Sequence, residues 1–110
     1  MKLPNADRAV VDLRKLRDYC LNQEHPRGQH KARLFKSALG LTAQDTVEFQ
    51  NMLLAAARSD DVVQLSADDY GQRYVLDFSV KRRSTQATIR SLWIIRSGED
   101  FPRLATCYIL

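Results

Sequence analysis

What this chain lacks narrows its class before anything it contains. No apolar run approaches the roughly 20 residues needed to cross a bilayer, and Met1-Lys2-Leu3-Pro4-Asn5-Ala6-Asp7 lacks the apolar stretch of a signal peptide. The expected compartment is therefore the cytoplasm, with no membrane partner. Glycine and proline are scarce, at 4 and 3 residues, and no repeat or low-complexity tract breaks the sequence. That excludes collagen-like and disordered classes. Cysteine is limited to Cys20 and Cys107, at opposite ends, with no C-x-x-C and no zinc spacing to join them to His25 and His30. Neither a disulfide framework nor a metal centre is indicated, and the two thiols are expected to be reduced and buried. No cofactor motif is present.

What is there suffices for one domain. A chain of 110 residues with 45% apolar side chains can bury one core, whereas two halves would each be too small. The net charge of +4 is unevenly spread. Arg27, Lys31, Arg33 and Lys36 run with His25 and His30 without an acidic residue, and Lys81, Arg82, Arg83, Arg90, Arg96 and Arg103 form a second basic stretch. Asp45, Glu48, Asp60, Asp61, Asp68 and Asp69 lie between. Such asymmetry draws a polyanion to one side of a molecule, with nucleic acid the usual candidate; ordinary solvated charge clustering gives the same pattern.

The hydrophobic period divides the chain in two. Leu13, Leu16, Tyr19 and Cys20 recur at helical spacing behind a capping Asp12, until the Pro26 and Gly28 loop ends the helix. From His30, Leu34, Phe35, Ala38 and Leu39 draw one stripe that Gly40 stops, and Thr42 caps a third helix ending near Ser59. Beyond Asp61 the period becomes two. Val62 to Leu65 pairs as a hairpin with a strand in which Tyr74, Leu76, Phe78 and Val80 share a face. A third strand runs from about Gln86 to Arg96, and a fourth from Leu104 to Leu110. The expected fold is α+β: about three N-terminal helices packed on one face of a C-terminal four-stranded antiparallel sheet. The other face is then left to Arg73, Asp77, Arg90 and, by alternation, either Arg103 or Thr106.

The most suggestive local stretch places His30 and Lys31 at the opening of a helix, where free N–H groups favour a bound anion. On residue chemistry alone the favoured readings are structural: His30 caps the helix or packs beside Leu34, and Trp93 is a core residue.

Four blocks carry a resemblance: Leu3-Pro4-Asn5-Ala6-Asp7-Arg8-Ala9; Gly28-Gln29-His30-Lys31-Ala32-Arg33-Leu34-Phe35 with Leu39-Gly40; Tyr70-Gly71-Gln72-Arg73-Tyr74; and Trp93-Ile94-Ile95-Arg96 with Pro102-Arg103-Leu104-Ala105-Thr106-Cys107-Tyr108. Over nearly its whole length the chain resembles a family of short bacterial proteins labelled as a domain of unknown function. That family is related to the C-terminal domains of polymorphic toxins, and its helix-then-sheet order is similar to that of barnase, EndoU, colicin and RelE-like ribonucleases. The resemblance implies a metal-independent ribonuclease site. In it, His30 is the base or acid, Lys31 and Arg103 are phosphate clamps, Thr106 or Tyr108 is a hydroxyl near the scissile group, and Arg33, Arg73, Arg90 and Trp93 are substrate contacts. It also implies RNA as substrate and a small acidic antitoxin-like or immunity-like protein as partner. Two other classes stay open: a non-catalytic module that pairs with a genetically adjacent small protein, and a nucleic-acid binder without catalysis. Convergence of His30, Lys31, Arg103 and Thr106 in one concavity is what separates an enzyme from a module.

Overall fold

The computed structural model describes residues 1–110. A 3-10 turn, Ala6–Arg8, precedes a short helix α1, Leu13–Lys15, which widens directly into a π-helical turn over Leu16–Cys20. Asp12 caps α1, its carboxylate accepting the Arg14 N–H at 2.9 Å. The wide turn departs from the regular helix expected. The Leu21 N–H reaches back to the Leu16 carbonyl at 2.8 Å, and Leu16, Cys20 and Leu21 are all buried.

Helix α2, Gln29–Leu39, buries Ala32, Phe35 and Leu39. Leu34 is exposed and not part of the stripe, because it sits about 100° around the helix from Phe35. At Gly40, with φ 67°, the Gly40 and Leu41 N–H groups turn back to the Lys36 and Phe35 carbonyls. Thr42 and Asp45 then form a reciprocal capping box around the 3-10 turn Ala43–Asp45, which leads into α3, Thr46–Ser59. Phe49, Leu53, Ala56 and Ala57 are the buried apolar residues of α3.

The second half is a four-stranded antiparallel sheet in the order β1 (Val63–Gln64), β2 (Gly71–Arg82), β3 (Thr85–Arg96), β4 (Arg103–Ile109). Tyr74, Leu76, Phe78, Val80, Ile89, Trp93, Leu104 and Cys107 form its buried face, so the helices cover one side as the sequence implies. Trp93 is 0% exposed. Its indole N–H donates to Ser91 Oγ at 2.9 Å, and that hydroxyl donates to the Leu76 carbonyl at 2.8 Å. This chain of bonds accounts for a serine on an apolar face and removes Trp93 from any contact with a ligand.

Strict alternation would send Arg103 and Thr106, three residues apart, to opposite faces. Instead β4 bulges. Leu104 pairs with Trp93 and Thr106 with Leu92, leaving Ala105 as the unpaired residue. The added residue restores parity, so Arg103, Thr106 and Tyr108 all lie on the open face, opposite Ile94, Leu92 and Arg90. No helix is long and apolar enough to cross a membrane.

Candidate functional site

Helix α2 and the π-helical turn both pack beside β4. Glycine makes their own close approach possible: a Cβ at Gly28 would stand 2.4 Å from the Tyr19 carbonyl oxygen, so no larger residue lets α2 begin there. Lys31, in the first turn of α2, is thereby brought beside Tyr19. Its Nζ donates to Thr106 Oγ1 at 3.2 Å and lies 5.9 Å and 5.5 Å from the ring centroids of Tyr19 and Tyr108. From α1, Lys15 Nζ donates to the Leu104 and Ala105 carbonyls at 3.2 Å and 3.0 Å. Lys15, Tyr19, Lys31, Ala105 and Thr106 line a cavity of about 550 Å³.

A second cavity of about 450 Å³ carries Lys15, Arg73, Arg96 and Arg103 together with Tyr70, Ile94 and Ser97. The two adjoin at the bulge, sharing Lys15 and Ala105 in their walls, and together make the β4 groove. Arg103 is held by Glu99 through two bonds of 2.9 Å, over the Phe101 ring, and Arg73 is held by Asp68. Lys15, Lys31 and Arg96 have no carboxylate within ion-pair distance. Further along the open face, Arg90 grips Asp77 at 2.9 Å, which holds the guanidinium above its ordinary range, with a smaller contribution from the Tyr108 hydroxyl. The same bond holds the Asp77 carboxyl below the usual range.

Cys20 and Cys107 are free and buried. Contact with Cys20 and burial together push the Cys107 thiol well above its ordinary value. No three His, Cys, Asp or Glu side chains gather in an arrangement that could hold a metal ion.

The structure brings Lys31, Thr106 and Tyr108 around a single ammonium and puts Arg103 and Arg73 in the adjoining cavity. Arg90 stands next to Tyr108 on the open face. His30 does not join them: it is exposed, makes no side-chain hydrogen bond and lines neither cavity. Arg33 is also exposed and donates to Gln29 Oε1 at 3.2 Å along α2. Lys15 and Tyr19 are the residues that reading the sequence missed. Their four-residue spacing, which puts both on one side of a helix, was the available signal.

The other histidine is the one near the groove. The His25 ring meets Tyr19 edge-on at 4.7 Å, and its Nδ1 accepts the Arg27 and Gly28 N–H groups, both at 3.0 Å. Two donors at Nδ1 assign the proton of the neutral ring to Nε2, so His25 locks the loop before α2 and steadies Tyr19.

The chain matches, over residues 2–110, the family described as Domain of unknown function (DUF6883). No curated protein matches it. Among solved structures it is similar to a chain of a contact-dependent growth inhibition toxin - immunity protein complex from Klebsiella pneumoniae 342, at 17% identity and a TM-score of 0.65. That alignment covers 92% of this chain and 99% of the other. At such identity the likeness is one of fold.

Proposed function

The chain belongs to the DUF6883 family, and from that premise we propose that it is a toxin-like domain that binds RNA along the β4 groove and cleaves its phosphodiester backbone. The observation that carries this reading is the Lys31 ammonium. It lies between two phenol rings, bonded only to a threonine hydroxyl and without a carboxylate to neutralise it. A cation left in that state, with Lys15 beside it, is arranged for a phosphate.

In the reaction, the ribose 2′-oxygen attacks the adjacent phosphorus and the bond from phosphorus to the 5′-oxygen breaks. The products are a 2′,3′-cyclic phosphate and a free 5′-hydroxyl. Lys31, Lys15 and Arg103 are assigned to the negative charge that grows on the phosphorane oxygens. The proton is assigned to a relay: a groove hydroxyl, of Tyr19, Thr106 or Tyr108, takes the proton lost by the 2′-oxygen as it gives its own to the departing 5′-oxygen, and so ends the step as it began. The name of the similar complex pairs a toxin with an immunity protein. That supports a small acidic protein as the partner, one that would cover this basic groove.

The test is cleavage of total RNA and tRNA by the purified protein in excess EDTA. Lys31→Ala and Thr106→Val are expected to suppress cleavage while retaining the circular dichroism of the wild type, and wild-type products should end in cyclic phosphates. His30→Ala, at a side chain that lines neither cavity, is expected to cleave normally. An absence of cleavage across a broad RNA panel would transfer the groove to a non-catalytic role in holding a small neighbouring protein.

A further inference from the structure

Tyr70 is the most exposed of the large hydrophobic residues, at 74%, yet the turn that carries it is held by several hydrogen bonds. Asp68 Oδ1 accepts the Tyr70 and Gly71 N–H groups, and Asp68 Oδ2 is bound by Arg73. Ser97 fixes the other side, its N–H donating to the Tyr70 carbonyl at 3.0 Å and its hydroxyl to the Asp69 carbonyl at 2.9 Å. Gly71 sits at φ 144°, and a Cβ there would lie 2.2 Å from the Ile95 carbonyl oxygen, so the turn closes directly onto β3. A backbone held from both sides thus presents an aromatic ring with no hydrogen bond of its own to the molecule's solvent face.

That ring borders the 450 Å³ cavity lined by Ile94, Arg96 and Arg103, which adjoins the Lys31 cavity at Lys15 and Ala105. Each cavity falls within the roughly 300–1,000 Å³ typical of small-ligand sites. An aromatic platform beside cations is the arrangement that takes up an unpaired nucleotide, its base on the ring and its phosphate on the guanidinium. A protein contact would use the ring equally well, but with Arg73 paired to Asp68 and Arg103 to Glu99, the cavity still holds two cations without a carboxylate partner, Lys15 and Arg96, against the acid Asp69. That balance favours an anionic ligand.

We infer that the Tyr70 cavity is a nucleobase-stacking subsite, so that the groove takes single-stranded RNA, with one base on Tyr70, its phosphate at Arg96, and the neighbouring phosphate at Lys31. This deepens the RNA reading of the groove and rests on it. Stacking is sequence-tolerant, so the subsite selects for an unpaired base more than for its identity.

The experiment measures binding of a labelled, uncleavable 2′-O-methyl RNA single strand, and of a matching abasic phosphodiester strand, at low salt. Tyr70→Ala is expected to weaken the base-bearing strand about tenfold and leave the abasic strand unchanged. Tyr70→Trp should restore the wild-type affinity, and Arg96→Ala should weaken both strands. If the base-bearing strand binds wild type and Tyr70→Ala equally, or if both strands lose alike, the stacking subsite is wrong while the RNA groove stands. If neither strand binds wild type, the groove reading falls and the subsite with it. Tyr70→Ala that spares the base-bearing strand but releases a protein partner would assign the ring to a protein interface.

Discussion

Two cations at opposite ends of α2 are treated in opposite ways. Arg82, at the end of β2, is only 8% exposed and fully occupied. Glu48 accepts from it at 2.8 Å and 3.2 Å, Asp45 lies at 3.3 Å, and the Leu39 and Gly40 carbonyls at the end of α2 accept at 3.0 Å and 3.1 Å. Lys31, in the first turn of the same helix, has one hydroxyl and two aromatic rings around it and no carboxylate. Withdrawal from water is tolerable for a charge only when other groups replace the lost solvation. Arg82 has those groups within the fold and acts as a rivet between α2, α3 and the sheet. Lys31 has them only in part, and the remainder is what an incoming anion would supply.

The largest effect that sharpens this contrast is on stability. Arg82→Ala leaves two carboxylates and two helix-terminal carbonyls without their cation, and is expected to cost about 3 kcal/mol, the low end for breaking a buried pair because Glu48 is half exposed. Chemical denaturation measures it; a loss below about 1 kcal/mol would erase the distinction between rivet and surface pair. Lys31→Ala should do the reverse, lowering RNA cleavage about 100-fold, the effect of removing one charge-stabilising donor, with the denaturation midpoint unmoved. A Lys31 variant as unstable as the Arg82 variant would make Lys31 another rivet. Lys15 lies between the two: its two bonds to the carbonyls at the β4 bulge predict about 1 kcal/mol of stability lost in Lys15→Ala, together with a smaller fall in cleavage than at Lys31.

The same contrast explains what could be read from the sequence. The rivet end is built from local grammar: Gly40 closing α2, and Thr42 with Asp45 opening the next helix, are signals that act within a few residues. The helix-then-sheet order and the buried face of β2 followed equally from period alone. At the groove end, Lys31, Arg103 and Thr106 were legible as residue types, but their meeting depends on two non-local features. One is the Ala105 bulge, which no alternation pattern announces. The other is the π-helical turn that brings Lys15 and Tyr19 against β4, where a regular helix was expected. His30 was favoured for its chemistry and neighbours, and the docking of α2 then left it in solvent. Local signals fix the elements; which of their polar residues converge is decided by how the elements dock.

The smallest expected effect tests the rivet through acid. The Arg82 bond holds the Glu48 carboxyl below its ordinary value of 4.5, partly opposed by burial and by the nearby Asp45, and assisted by Arg83. A carboxyl whose folded value lies below its unfolded one contributes stability that is fully present above the unfolded value and is lost as pH falls through the folded one. Wild type should therefore lose this contribution below about pH 4.5, and Lys31→Ala should follow the same curve. Arg82→Ala, already lacking the bond, should have a shallower acid limb. Asp12, Asp18, Asp68, Asp77, Glu99 and Asp100 are also held low, but by partners present in all three proteins. Their losses cancel in the comparison, and the difference between curves reports the Arg82 site, where Glu48 is the carboxyl held low. Parallel acid limbs for wild type and Arg82→Ala would show that the carboxylate gains nothing from the guanidinium, and that the bonds to the Leu39 and Gly40 carbonyls rather than the ion pair hold this end together.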